Sequence, residues 1–253
     1  MRYDTALYNL IDKYWEDYLK HRKLNDVVTS SIPVVWFGNF DKYKVSKKKI
    51  VTVAINPSYN EFPVDTPFIR FPAAENLAKV DCELNIGEMN KLIASYNDYF
   101  IKNPYKRFFE YGFEVVLQNL PYTAKASYGY HPSENTAIHI DCQTALATQQ
   151  KWSALKPEIQ ADIRNEDLFK SLLRYLDPDI ILLTSNKKVL NTFVTEKDKF
   201  ISEKVNSSYR IGCKFEGRLL IFGSFSFGTP FGGIKNGGED HQAIMKKIFD
   251  KYQ

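Results

Sequence analysis

"VTVAINPSYNEF", residues 51–62, is the stretch from which the fold can be read. A β-branched apolar run breaks abruptly into Asn-Pro-Ser. Val51 through Ile55 read as a buried strand, whereas Pro57 has no backbone N–H to give a ladder and fixes its own φ. The strand must end there, and Asn56 is left at its carboxyl end.

Working outward, residues 49–55 form the first strand of a set. "TAIHIDC" (136–142), "DIILLT" (179–184) and "RLLIFGS" (218–224) are the others. Each is short, apolar on both faces and separated from the next by helix-length sequence. That pattern predicts an α/β fold, a three-layer α/β/α sandwich with a central, mainly parallel four-stranded sheet. Tyr3, Leu7, Leu10, Ile11, Tyr14 and Tyr18 recur at helical spacing, so the chain opens with an amphipathic helix. Helices are predicted across 87–102 and 105–118, interrupted by Pro104. No Gly/Ser linker, repeat or shift in composition divides the chain, which reads as one domain over 1–253 with an N-terminal helix.

Composition is ordinary for a globular protein, 44% apolar and 25% charged. A net charge of +4 is compatible with nucleic acid but too small to argue for it alone. Aromatic residues reach 15%, with 16 Tyr and 18 Phe, which fits either a ring-rich core or a surface that stacks on something flat. Cys82, Cys142 and Cys213 are scattered, an arrangement expected of reduced thiols in a cytoplasm and of neither a zinc site nor an iron–sulfur cluster. The N-terminal "MRYDTALYNLIDKYW" carries acids within its apolar pattern, unlike a signal peptide, and no run reaches membrane-spanning length.

The unusual residues fall at the carboxyl ends of the strands. Asn56 follows the first, Asp141 closes the second, Thr184 and Ser185 follow the third, and the run Ser224–Gly238 follows the fourth. Open parallel sheets bind ligands along that edge. "FGTPFGGIKNGGED" has no phosphate-binding GxxxxGK[ST], no GxGxxG follows the first strand, and nucleophile-elbow and HExxH patterns are absent. His21, His131, His139 and His241 are not at metal-ligand spacing, so neither metal nor cofactor is expected. His139 alternates with Asp141 and shares its face; a structural histidine, hydrogen-bonded inside the fold, is the other reading.

"VAINPS", closing the first strand, resembles the water-positioning motif of the uracil-DNA glycosylase superfamily, especially the mismatch-specific branch with its Gly-Ile-Asn-Pro form. The resemblance continues through "NPSYNEF", "FIRF", "NPYKRFF" and "HIDCQTALATQQKW", which are similar to a group of glycosylase-like bacterial proteins, and spans residues 34–240. It implies that Asn56 holds the water attacking C1′ of a flipped nucleotide, with Glu61 or Asp65 supplying negative charge to the oxocarbenium-like state; a solvated loop carboxylate is the other reading of each. Phe71, Tyr128 or Tyr130 would stack on the extruded base, each with core packing as the alternative. Asp141 aligns with the asparagine that reads the pyrimidine edge; the alternative is a buried carboxylate capping the following turn.

After the fourth strand the superfamily usually shows His-Pro-Ser or Asn-Pro-Ser, whereas this chain reads "GSFSFGTPFGG" with no histidine. DNA contacts are then expected at Ser58, Ser224 and Ser226, with Phe227 or Phe231 as a wedge, backbone N–H groups near Gly232 on phosphates, and Lys235 and Arg70 adding charge; a merely flexible loop after the fourth strand is the other reading. An ionised Asp141 is acceptor-only, which suits the N4 amine of cytosine over O4 of uracil, with His139 as a donor to N3. The implied function is a monofunctional, monomeric DNA glycosylase without cofactor. It would release a pyrimidine, a modified cytosine with unmodified uracil as the alternative, to leave an abasic site in repair or anti-phage defence. The alternative is a non-catalytic nucleic-acid or nucleotide-binding module. A nucleoside hydrolase would need calcium-binding aspartate clusters that the sequence lacks.

Overall fold

The computed structural model of the protein describes residues 3–205, 208–226, 228–232 and 238–252. In chain order its helices are α1 (Thr5–His21), α2 (Phe40–Lys44), α3 (Ile86–Asn97), α4 (Tyr99–Lys102), α5 (Glu114–Gln118), α6 (Pro157–Ile163), α7 (Glu166–Leu176), α8 (Lys187–Phe193) and α9 (Glu239–Tyr252). The strands are β1 (Ile50–Ala54), β2 (Ala137–Asp141), β3 (Ile180–Ser185), β4 (Lys199–Val205), β5 (Ser208–Phe215) and β6 (Arg218–Ser224). Two compact units arise, one from Met1–Gly38, Ile55–Pro104 and Ile140–Asp177, the other from Asn39–Ala54, Tyr105–His139 and Pro178–Gln253. No linker joins them: the chain passes from one to the other at Ala54 as β1 ends, and inside β2 after His139.

The second unit carries the sheet, apart from Ile140 and Asp141 of β2. The expected α/β class is present, and so are all the expected strands. The sheet, however, has six strands in the order β2-β1-β3-β6-β5-β4, and it is mixed, where a mainly parallel four-stranded sheet was expected. β1 lies parallel to β3, with Ile50 opposite Ile180, and β3 lies parallel to β6, with Ile180 opposite Leu219. β6 pairs antiparallel with β5, and β5 antiparallel with β4. The hairpin between β5 and β6 turns on Glu216 and Gly217, with φ of 47° and 78°, the left-handed pair that a two-residue hairpin loop demands. β4 is an edge strand whose Lys199, Glu203 and Lys204 interrupt its apolar pattern; charge on an edge discourages pairing with other chains.

The expected helix over 105–118 is also corrected. It begins as one π-helical turn, Phe109–Phe113, and becomes α-helical only at α5. Tyr111 N–H reaches the Lys106 carbonyl (2.9 Å) and Phe113 N–H the Phe108 carbonyl (3.1 Å). Gly112 sits so close to Pro230 that a Cβ there would lie 2.8 Å from the proline ring.

In the first unit, Asp4 caps α1 by accepting from the Leu7 N–H (2.9 Å). The helix buries Leu7, Leu10, Ile11, Tyr14, Trp15 and Tyr18 and packs on α3 and α7. Ring pairs fill this unit: Trp36 on Tyr96 (4.9 Å between centroids), Phe37 on Tyr99 (4.8 Å) and Phe62 stacked on Phe71 (5.3 Å). Most of the aromatic surplus is therefore core.

The segment after β6 is held from within the second unit. Phe231 is fully buried at φ 56°, and its ring lies over Gly223, where a Cβ would meet ring carbons at 2.2 Å. Arg210, buried in β5, donates from Nη2 to the Phe231 carbonyl (2.5 Å), from Nη1 to Ser208 Oγ (2.7 Å) and the Tyr209 carbonyl (3.0 Å), and from Nε to His241 Nδ1 (3.0 Å). Since Nδ1 accepts, the His241 proton resides on Nε2. Burial, and then the Arg210 charge, pull His241 down to about 3. Gly223→Ala is expected to cost on the order of 3 kcal/mol in urea unfolding, because it overpacks a ring against a strand. Combined with Phe231→Ala the loss should be less than the sum of the two, since the clash is gone; strict additivity would contradict this packing.

Candidate functional site

Beyond β1 the chain bends at Ile55 and finds a new partner. The Ile55 carbonyl accepts from the Gln143 N–H (2.9 Å) and the Pro57 carbonyl from the Thr148 N–H (3.2 Å). Pro57, which has no N–H to donate, serves here as an acceptor only. Asn56 lies between them, partly buried. Its Nδ2 donates to the Pro57 carbonyl (2.6 Å) and to Thr148 Oγ1 (2.8 Å). Thr148 Oγ1 in turn donates to the Gln150 carbonyl (2.6 Å). A carbonyl can only accept, so the Thr148 proton is committed and its lone pair faces Asn56. The amide is oriented by chemistry: NH₂ inward, Oδ1 outward, with no hydrogen bond to Oδ1 among the described residues.

Ser58 begins the next turn, its Oγ accepting from the Asn60 N–H (3.2 Å), and that turn, Tyr59–Glu61, delivers Glu61 to the interior. Glu61 is only 4% exposed. Tyr99 O–H donates to its Oε2 (2.5 Å), and Arg70 Nε lies 3.7 Å from the same oxygen. Burial pushes Glu61 up to about 7; the Tyr99 hydrogen bond and the Arg70 charge pull it back, and the Asp141 charge raises it. The alternative acid, Asp65, is exposed. Asp141 ends β2 nearly buried and also acts on Tyr14, whose hydroxyl is raised first by burial and then by the Asp17 and Asp141 charges.

Arg70, expected on phosphate, is engaged inside this unit. Nε donates to the Asn60 carbonyl (3.1 Å), and Nη1 to the Asn103 carbonyl. Phe71 is fully buried, stacked on Phe62 and tilted against Tyr99 at 5.2 Å, so in this conformation its ring is core. Asn56, Ser58, Glu61, Phe71 and Asp141 all belong to the first unit.

The remaining residues belong to the second unit. His139 Nδ1 is 2.8 Å from Thr52 Oγ1, which also hydrogen-bonds the Tyr128 hydroxyl. The His139 ring is surrounded by Phe108, Phe109 and Phe113, with centroids at 5.6, 5.1 and 5.4 Å. Tyr128 N–H donates to Glu114 Oε2 (3.0 Å). Both side chains are buried, which matches the structural reading of His139 and the packing reading of Tyr128. Ser224 Oγ accepts from the Tyr209 N–H (2.9 Å) and meets Ser208 Oγ (2.9 Å). Ser226 exchanges backbone hydrogen bonds with Thr229. Gly232 has φ 68° and leaves no room for a Cβ against Ser208 and Ser226. Phe231, buried over β6, is no wedge in this conformation, and Phe227 and Lys235 lie outside the described residues.

Sequence reasoning did not foresee Thr148 and Tyr99. Thr148 stands in "HIDCQTALATQQKW", which carries the resemblance, but no residue type in it announces an amide anchor. Among the described residues no cluster of three or more His, Cys, Asp or Glu is placed to hold a metal ion, and no helix is long and apolar enough to cross a membrane. Neither family models, nor curated proteins, nor solved structures give a match to this chain.

The Glu61 carboxyl sets a pH dependence of stability. With its folded value at about 7 and its ordinary value at 4.5, the folded state binds more protons than the unfolded state between them, so stability falls as pH rises through that window. Glu61→Gln removes the titration. Relative to wild type, the variant is expected to gain on the order of 3 kcal/mol on moving from about pH 4 to about pH 8. Parallel pH profiles of thermal unfolding for the two proteins would show that Glu61 is not held in this way.

Proposed function

We propose that the chain is a monofunctional DNA glycosylase that hydrolyses the N-glycosidic bond of a flipped pyrimidine nucleotide and leaves an abasic site. The observation that carries this proposal is the Asn56 amide, whose NH₂ is committed to Thr148 and Pro57 and whose Oδ1 is left to accept from a water. Oriented water suffices for much of such a reaction, because departure of the base through an oxocarbenium-like state demands placement more than a strong base. Glu61, when ionised, opposes the positive charge that develops on the sugar. Asp141 favours an amine-bearing base, hence cytosine, and the hazard of excising ordinary cytosine favours a modified one. The same proposal includes a monomer acting on DNA in the cytoplasm, in repair or anti-phage defence, on a three-layer α/β/α arrangement.

A second possibility is a non-catalytic module binding nucleic acid or nucleotides. It is favoured by the segment after β6, whose sequence through Gly238 holds no histidine and where Ser224 is occupied by Tyr209 and Ser208.

The discriminating assay uses labelled DNAs carrying uracil, cytosine and hypermodified cytosines, with alkaline cleavage of abasic sites. Wild type should cleave at a modified cytosine. Asn56→Ala should keep its fold by circular dichroism and lose on the order of 10²-fold or more in rate. Asp141→Asn should shift preference toward uracil. Cleavage of none of these DNAs would support the binding module, and full activity in Asn56→Ala would remove the water-holding role.

A further inference from the structure

We infer that the second unit carries a binding site for single-stranded nucleic acid between the end of α5 and α9, at the end of the sheet opposite Ser224. One base enters an open cavity of about 500 Å³, and the phosphates meet lysines on and beside its rim. The inference does not rest on the glycosylase proposal, because no residue given a role there lines this cavity.

Charge points to this unit first. Of the 34 Lys and Arg residues it holds 20, against 12 of the 30 Asp and Glu, so the net charge of +4 conceals one basic unit and one acidic one. A surplus of that size suits a polyanionic partner. The cavity itself is built from two elements. On α9, Ile244, Met245 and Ile248 are buried, which turns the row Gln242, Lys246, Phe249 and Asp250 toward the segment after α5. Tyr252, one turn beyond Phe249, donates from its hydroxyl to the Gly217 carbonyl (2.8 Å), so this end of α9 lies at the hairpin that begins β6. The opposite wall holds Gln118, Asn119, Tyr122 and Lys125.

Two features of the wall fit a nucleotide. The Pro121 carbonyl accepts from the Ala124 N–H (2.8 Å) and Ala124 is buried, so the turn Tyr122–Ala124 is anchored while the Tyr122 ring stays 89% exposed. A ring held in water on an anchored turn is a platform for a flat partner. The polar groups divide into two sets. Gln242 Nε2 donates to Asn119 Oδ1 (2.6 Å) and Gln118 Nε2 to the Ala126 carbonyl (2.9 Å), which leaves the two glutamine Oε1 atoms, with Asp250, as acceptors for a base amine. Lys125 and Lys246, with no ion pair among the described residues, are the cations for phosphate. A simple anion would use the second set alone, and an apolar ligand neither.

The lysines continue past the cavity, which selects a strand over a free nucleotide. Asn135 makes the connection: its Nδ2 donates to the Lys125 carbonyl (2.9 Å), and its Oδ1 accepts from the Lys48 N–H (2.8 Å). Lys48 belongs to the run Lys42, Lys44, Lys47, Lys48 and Lys49 that leads from α2 into β1. Lys47 is paired with Glu134 (2.9 Å) and Lys48 lies 3.9 Å from Asp179, whereas Lys42 and Lys44 are exposed and have no ion pair among the described residues.

The test is binding of a fluorescein-labelled single-stranded oligodeoxyadenylate of about ten nucleotides, read by anisotropy, with adenosine monophosphate and inorganic phosphate as competitors. The wild type should bind the strand more tightly than the monophosphate, and phosphate least, with affinity falling as salt rises. Lys125→Ala combined with Lys246→Ala should weaken binding by about tenfold, and Tyr122→Ala by about tenfold through lost stacking. Lys42→Ala combined with Lys44→Ala should weaken it by about threefold. These side chains are exposed, so circular dichroism should show the fold retained in every variant. On addition of the strand, the side-chain amide NMR signals of Gln242 and Asn119 should move, which locates the base in the cavity.

Strand binding unchanged by the Lys125 and Lys246 pair or by Tyr122→Ala, or unmoved Gln242 and Asn119 signals, overturns the site. Phosphate competing as well as the monophosphate would mean an adventitious ion only, and the monophosphate binding as tightly as the strand would overturn the strand as occupant. Failure here leaves the glycosylase proposal standing, and failure to cleave any of the DNAs leaves this site standing.

Discussion

The Thr148 hydroxyl has one proton to give, and the Gln150 carbonyl takes it. Everything proposed for Asn56 depends on that commitment. Had Thr148 been free to donate toward Asn56, the amide could flip and present NH₂ where Oδ1 now stands. With the Pro57 carbonyl and the committed Thr148 hydroxyl both left to accept, the only consistent arrangement turns the amide oxygen away from them. A small hydrogen-bond relay, anchored on backbone, thus converts an ordinary strand-end asparagine into a fixed acceptor. Pro57 takes part by offering its carbonyl to both the amide and the Thr148 N–H.

Glu61 shows the complementary case, in which burial disfavours the ionised form of a carboxyl. An ionised carboxylate in an apolar shell is disfavoured unless hydrogen bonds and charge offset the lost solvation. Here one hydroxyl and one guanidinium at 3.7 Å offset only part of it, so the group stays near the boundary between its two states. Arg210 in the second unit contrasts with it. Its partners are an imidazole, a hydroxyl and carbonyls, and burial draws it down only to about 10, so it remains a cation that clamps the segment after β6. Partly offset buried groups that titrate near neutrality are candidates for catalysis, whereas fully bonded ones are supports.

The sequence made legible whatever depends on local pattern. β1, β2, β3 and β6 were readable because each is buried on both faces and flanked by helix-length sequence. β4 was not, because two lysines and a glutamate on an edge strand resemble a loop; β5 was missed with it, although the Glu216–Gly217 hairpin turn was a usable signal. The π-helical turn at Phe109–Phe113 was beyond reach, since it accompanies the close packing of Gly112 against Pro230, far along the chain. Asn56 was visible from its position after a strand. Its anchor is 92 residues away and that of Glu61 is 38 away, and such pairings leave no local trace. Aromatic rings were the least legible: nothing around Phe71 or Phe231 separates a stacking ring or wedge from a buried one, and both proved buried.

The central claim, that the Asn56 amide is locked with its carbonyl outward, is tested most directly by hydrogen exchange of the Asn56 side-chain NH₂ measured by nitrogen-resolved NMR. Both protons should exchange slowly in the wild type, one held by Pro57 and one by Thr148, and Thr148→Val should release one of them to rapid exchange. Rapid exchange of both protons in the wild type, or exchange unchanged by Thr148→Val, would contradict the locked amide and the function built on it.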